Sequence, residues 1–369
     1  MSDGTLVDQP TPAAVVDLDV LDGNVAAMAA RAREAGVVLR PHAKTHKSVE
    51  VVRRQLAAGA VGVTVATVEE AETFAGAGVQ DIFLAYPPVG AWRCARLAAI
   101  AAGIRLTVAA DDIPSVLALD ACFHAAGVSA GYLWEVDCGL GRCGTAPGAV
   151  TADLVEAVHG RTSALSFSGL TTFAGHAYEA QDPEALRTIA REELEAVRET
   201  ERELHARGID VPVISFGSTP TAHQVTGDSA GYEMRPGNYV FYDASQVALG
   251  VVGPESCALT VLATVVSRPD AGHLVLDCGS KSLSTDRMSP RTVGLGVVRD
   301  HPDVLIERLF EEHAIASVSG RCDLAVGDRV HVIPNHSCAV ANLQGRLVVV
   351  QDDAVVDRWE VRARRGLDA

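Results

Sequence analysis

The sequence predicts an α/β protein: a (β/α)8 TIM-type barrel over residues 1–250, followed by a C-terminal β-rich domain over residues 251–369. Three observations predict it. From residue 37 to 243 short β-branched runs alternate with longer amphipathic segments, the pattern of a parallel sheet carrying helices. The runs number eight, which is the count that closes a barrel. Past residue 250 the helical periodicity stops, and short β-rich runs separated by turns replace it. A doubly wound open sheet is the competing arrangement for the first part.

The elements follow in order. A helix over Leu18–Ala35 comes first. Strands are expected at Val37–Arg40, Val61–Val65, Ile82–Ala85, Leu106–Ala109, Tyr132–Val136, Leu165–Leu170, Val211–Ser215 and Tyr239–Tyr242. Helical patterns lie between them, among them Val49–Ala58, Val68–Phe74, Ile113–Ala126 and Pro183–Arg207. Thr67 with Glu70 three residues on forms a capping box. Gly36, Gly59, Gly127 and Gly208 stand where left-handed C-caps are wanted. The acidic–basic stretch Arg191–Arg207 reads as a solvated helix face laced with Glu/Arg pairs. In the last third, Ala258–Val266, His273–Asp277, Arg329–Ile333, Arg346–Val350 and Val355–Val361 read as strands.

Composition excludes several functions. Hydrophobic residues at 48% and charged residues at 21% suit a packed core rather than a disordered chain. With 47 acids against 31 bases the net charge is −16, which argues against nucleic-acid or anionic-membrane partners. No apolar stretch approaches the roughly 20 residues of a membrane span. The nearest, Leu97–Ala110, is interrupted by Gly103 and Arg105. The first residues lack the basic and apolar regions of a signal peptide. The eight scattered cysteines, with no Cys-x-x-Cys pair, are therefore expected as thiols of a cytoplasmic enzyme.

In a barrel the reactive side chains gather just after each strand. After the first comes Arg40-Pro-His-Ala-Lys-Thr-His-Lys47. A lysine at a strand end can be desolvated and become an imine-forming amine, and Lys44 lies nearer the strand than Lys47. A solvated basic loop is the plainer reading. After the strand at 132–136, Gly139, Gly141 and Gly144 match G-x-G-x-x-G, but Pro147 and Gly148 precede any helix and no acidic residue ends the next strand. We read a tight turn aiming Arg142 inward. Thr171-Thr-Phe-Ala-Gly-His-Ala-Tyr178 offers His176 and Tyr178 for proton transfer. Gly217-Ser-Thr219 and Arg235-Pro-Gly-Asn-Tyr239 look built for an anion, with glycines for close approach and hydroxyls from Ser218 and Thr219. In the last domain, His336 and Cys338 are spaced to converge from an extended chain as soft ligands for zinc, leaving positions open for substrate. Glu311-Glu-His313 faces the same cavity or is an exposed turn.

Taken in order, these segments resemble the fold-type III pyridoxal-phosphate enzymes with an alanine-racemase-like barrel, in the D-serine dehydratase and D-threonine aldolase branch. The resemblance runs over nearly the whole chain. It implies that Lys44 carries pyridoxal 5′-phosphate as an imine and that Arg142 approaches its phenolic oxygen. The phosphate would rest on Gly217, Ser218, Thr219, Gly237, Asn238 and Tyr239. His336 and Cys338 would hold a divalent metal, zinc favoured over manganese or magnesium, at the substrate β-hydroxyl. A homodimer is implied as well.

Dehydratases of the branch are associated with His-x-Cys and a Gly-His-x-Tyr stretch, and the better-described aldolases with His-x-Asp. Cys338 and Gly175-His176-Ala-Tyr178 lean to dehydratase, whereas Phe173 stands where that pattern has a histidine. The expected function is a lyase converting D-serine- or D-threonine-like substrates to a 2-oxo acid and ammonia. The alternative is retro-aldol cleavage to glycine and an aldehyde. Further rivals are an amino-acid racemase, which needs no metal, and a non-enzymatic cofactor carrier, which generally lacks the β-domain.

Overall fold

The computed structural model describes residues 5–364. Two compact units make up the chain. One comprises Met28–Lys44 and Val51–Gly237; the other comprises the stretch up to Ala27, Thr45–Glu50 and Asn238–Arg362. The arrangement differs from a single break at residue 250 because the first strand, β1 (Ala13–Asp17), pairs with strands from the far end of the sequence.

The first unit is an all-parallel sheet of eight strands: β2 (Val38–Leu39), β3 (Val63–Val65), β4 (Asp81–Leu84), β5 (Arg105–Ala110), β6 (Ala130–Glu135), β7 (Leu165–Thr171), β8 (Val213–Phe216) and β9 (Glu233–Met234). Its order runs β2-β9-β8-β7-β6-β5-β4-β3, and β2 then meets β3 through Val61 N–H to Leu39 O (3.0 Å) and Thr64 N–H to Pro41 O (2.8 Å). The sheet is thus closed into a barrel. Helices α1 (Leu18–Ala35), α2 (Val49–Ala57), α3 (Val68–Gly76), α4 (Ala91–Ala101), α5 (Ile113–Ala125), α6 (Ala149–Val158) and α7 (Pro183–Ala206) alternate with the strands, and α8 (Thr219–Ala222) is a single turn after β8.

Local chemistry explains the boundaries. Asp182 starts α7 by accepting the Ala185 N–H at 2.8 Å, and Gly208 beyond its end takes φ +73°. Thr67 caps α3 by accepting the Glu70 N–H, and the Glu70 carboxylate takes the N–H of Ala66 at 2.6 Å. Phe83, Ala109 and Leu133 pack together from three consecutive strands. Arg40 is held between Asp81 and Glu233, 2.6 Å from each.

Two expectations are corrected. The eighth barrel strand is Glu233–Met234, bonded to both β8 and β2, whereas Tyr239–Tyr242 begins as a 3-10 turn (Asn238–Val240) and ends at Tyr242 with φ +46°. Its aromatic, β-branched composition imitates a strand. The cysteines are not all thiols: Cys94 of α4 and Cys122 of α5 form a disulfide, their Cα atoms 6.5 Å apart because the neighbouring helices pack together. Among the described residues no helix is long and apolar enough to cross a membrane.

The second unit is a nine-stranded sheet. Strands β10 (Leu259–Asp270), β11 (His273–Leu276), β12 (Val297–Val298), β13 (Val304–Leu309), β14 (Ala314–Val318) and β15 (Arg329–Ile333) close an antiparallel ring through the β10–β11 pairing. β1 joins it on β10 and runs parallel to β16 (Arg346–Gln351), which pairs with β17 (Ala354–Glu360). The short helices α9 (Ala244–Ala248), α10 (Ser280–Leu283) and α11 (Ser337–Leu343) lie in its loops.

Candidate active site

In the barrel unit, Lys44 sits in the 3-10 turn Ala43–Thr45 that follows β2. Its Nζ lies 5.3 Å from the centre of the Phe173 ring, and the Arg142 guanidinium lies 4.9 Å from the same ring. Three loops therefore meet on one aromatic side chain, the contact between a cation and a π face being attractive for both. The loop bearing Arg142 is a tight turn as expected. Asp137 accepts the N–H groups of Gly139 (3.0 Å) and Gly141 (3.1 Å), which gathers the glycines around one carboxylate. Arg142 remains exposed. A Cβ at Gly175 would stand 2.7 Å from Phe173 Cε1 and 3.0 Å from Leu140, so any other residue there would push on the ring that both cations face.

His176 and Tyr178 occupy the 3-10 turn Gly175–Glu179 after β7. Tyr178 is buried, and His176 keeps a buried Nδ1 with no hydrogen-bond partner. Gly217 follows β8 with φ +95°, and Ser218 and Thr221 form a reciprocal capping box around the turn containing Thr219. Arg235 and Gly237 follow the true last strand β9, so both anion-type loops lie after strands seven and eight of the barrel. Arg235 itself is fully buried and donates to the Thr171 hydroxyl (2.9 Å) and the Thr172 carbonyl, which removes its side chain from any exposed anion. Burial pushes the Glu135 carboxyl up, opposed by Arg235 and Arg142.

In the other unit, Asn238 and Tyr239 are buried in their 3-10 turn. Asn238 Nδ2 donates to Asp243 (2.6 Å) and to the Ser337 hydroxyl (2.9 Å), and its Oδ1 is buried without a partner. Asp243 also accepts the Ser337 N–H at 3.0 Å. The chain is extended only at His336; Cys338 lies in the first turn of α11, a departure from the extended reading of both residues. The two side chains nevertheless meet. Cys338 donates to the Thr45 hydroxyl at 3.2 Å, and His336 Nδ1 pairs with Asp286 at 2.8 Å. Burial pulls the His336 imidazolium down, but the Cys338 charge and hydrogen bonds to Asp286 and Cys338 outweigh it and push it up to about 10. With Nδ1 held by a carboxylate, Nε2 is left to bind a metal, the usual orientation of a ligating histidine.

Among the described residues no cluster of three or more His, Cys, Asp or Glu forms a closed metal cage. Two converging soft ligands with an oriented imidazole fit a metal that keeps open positions. On the barrel side, an amine, a guanidinium and a hydroxyl-lined glycine turn form a donor set suited to an aldehyde bearing a phenolic oxygen and a phosphate. Glu311-Glu-His313 is an exposed turn, its carboxylates paired with Lys281 at 2.8 and 3.0 Å.

Sequence reasoning missed Thr45, Asp243, Asp286 and Glu193. Glu193 corrects the reading of Arg191–Arg207 as solvated throughout, because its side chain is wholly buried and one oxygen accepts the Gly217 N–H at 3.0 Å. Asp243 had a signal, since it is the N-cap of α9. Asp286 had none.

Residues 16–245 match the family model described as alanine racemase, N-terminal domain, and residues 258–350 match the putative serine dehydratase domain. The D-threo-3-hydroxyaspartate dehydratase of Delftia sp. (strain HT23) is 36% identical, covering 96% of this chain and 98% of its own. A variant of a D-threo-3-hydroxyaspartate dehydratase solved in a metal-free form superposes with TM-score 0.90 at 34% identity over 98% and 99% of the chains. The D-threonine aldolase from Filomicrobium marinum does so with TM-score 0.92 at 32% identity over 99% and 98%. The chain belongs to the alanine-racemase-like, fold-type III family of pyridoxal-phosphate lyases that includes the D-serine dehydratases and D-threonine aldolases.

Proposed function

We propose that the protein is a pyridoxal-phosphate- and divalent-metal-dependent dehydratase of D-β-hydroxy amino acids, eliminating water to give a 2-oxo acid and ammonia. The observation that carries this reading is the imidazole–thiol contact of His336 and Cys338, with Asp286 on the far ring nitrogen. A thiolate where the aldolases of the branch have a carboxylate favours a soft metal, zinc above manganese or magnesium. The 36% identical Delftia relative, itself a dehydratase, supports it.

When bound, the cofactor supplies an electron sink for charge developing at Cα, and the metal a Lewis acid that makes the β-hydroxyl a better leaving group. The chain's own residues do the rest. Lys44 would hold the cofactor through its amine, and that same amine would serve as the base for the proton at Cα. Arg142 would provide the positive charge for the phenolic oxygen. Ser218, Thr219, Gly237, Asn238 and Tyr239 would hold the phosphate, and Gly217 would shape the turn beside it. Phe173 shields the Lys44 amine from water on the side where it covers it. His176 and Tyr178 are the proton donors for the departing oxygen, and His336 and Cys338 hold the metal. The same reading takes the working form to be a cytoplasmic homodimer.

Incubation of the purified holoenzyme with D-threonine tests it. 2-Oxobutyrate and ammonia are expected, and both should vanish on treatment with EDTA. Glycine and acetaldehyde would replace elimination by retro-aldol cleavage, and L-allo-threonine, inverted at Cα alone, would mean racemisation.

A further inference from the structure

Helix α7 is rich in acids, and most of them face water; Glu193 is wholly buried. A carboxyl removed from water is unfavourable unless hydrogen bonds replace its solvation. Here they come from two main-chain N–H groups, with the Thr221 hydroxyl beside them. Glu193 Oε1 accepts the N–H of Ala174 at 2.9 Å and that of Gly217 at 3.0 Å. Ala174 leads into the turn bearing His176 and Tyr178, and Gly217 opens the loop of Ser218 and Thr219. These donors lie just beyond the paired strands β7 and β8, and one oxygen on a long helix joins them.

We propose that Glu193 is a positioning residue for the cofactor phosphate: its single oxygen ties the phosphate loop and the His176–Tyr178 loop to α7 and sets both before the cofactor arrives. The inference rests on the cofactor reading above. The Gly217 N–H, already engaged by Glu193, does not serve the phosphate as a donor. Its role is to fix the left-handed turn from which Ser218 and Thr219 project. A preset loop loses less freedom on binding than a mobile one, so its effect is felt by the phosphate and not by the ring.

The test is titration of the full-length apoprotein with pyridoxal 5′-phosphate and, separately, with pyridoxal, which has no phosphate. Glu193→Leu should bind pyridoxal 5′-phosphate about tenfold more weakly and pyridoxal within about twofold of the wild type. Glu193→Gln, whose amide oxygen can still accept both N–H groups, should restore the preference for the phosphate. A Glu193→Leu protein that binds both ligands as the wild type does, or that loses both alike, overturns the proposal. Should the leucine variant not fold, Glu193→Asp, which draws the oxygen back by one methylene, decides by the same ratio. Wild-type protein that binds neither ligand would bring down the cofactor reading itself, and this inference with it.

Discussion

A thiol and an imidazole in contact share a proton readily, and a dication takes that proton's place when both give theirs up. Asp286 decides which nitrogen of His336 is available for it. Replacing Asp286 by alanine is expected to weaken metal binding about 10- to 100-fold, read as metal content after dialysis, while cofactor binding is retained. Cys338→Ala should lose the metal and most turnover with the cofactor still bound. A fully active, metal-free Cys338→Ala enzyme would remove the Lewis acid from the reaction. Lys44→Ala should abolish the visible absorbance of lysine-bound cofactor. Persistence of that band would transfer the attachment to Lys47, which is buried and holds φ +52°.

Elements were legible wherever a period or a cap announced them. The β-branched runs of β4, β5, β6 and β7 each fall within a residue or two of the observed strands, and the loops behind β6, β7 and β8 carry Arg142, His176 and Ser218 where the barrel rule puts function. β9 was not legible because two residues, Glu233–Met234, are too short to show alternation. Glu193 was not legible because a helical period assigns faces from apolar residues, and a buried acid on an acidic helix reads as one more exposed charge. Asp286 reaches His336 across 50 residues, a distance no local pattern spans. Helix α7 allows a prediction at this scale. Asp182→Ala removes its N-cap and should lower stability by about 1 kcal/mol in urea denaturation.

At the level of the whole chain, the cysteine arithmetic is open to direct count. Denatured without reductant, the protein should titrate six thiols, and eight after reduction, because Cys94 and Cys122 are joined. In a chain-entropy account, opening the link across a separation of 28 residues should lower stability by about 3–4 kcal/mol. Eight titratable thiols without reductant would show the pair unjoined.

The pairing of β1 has a consequence for synthesis on the ribosome. Ala13–Asp17 leaves the exit tunnel well before its hydrogen-bonding neighbours, Leu259–Leu262 and Val348–Val350. At translation speeds of about 5–20 residues per second, an apolar strand waits roughly 10–50 s for its first edge. During that interval its pairing edges stay open, so the nascent polypeptide is adhesive at this strand, and a holdase chaperone would find a binding segment there.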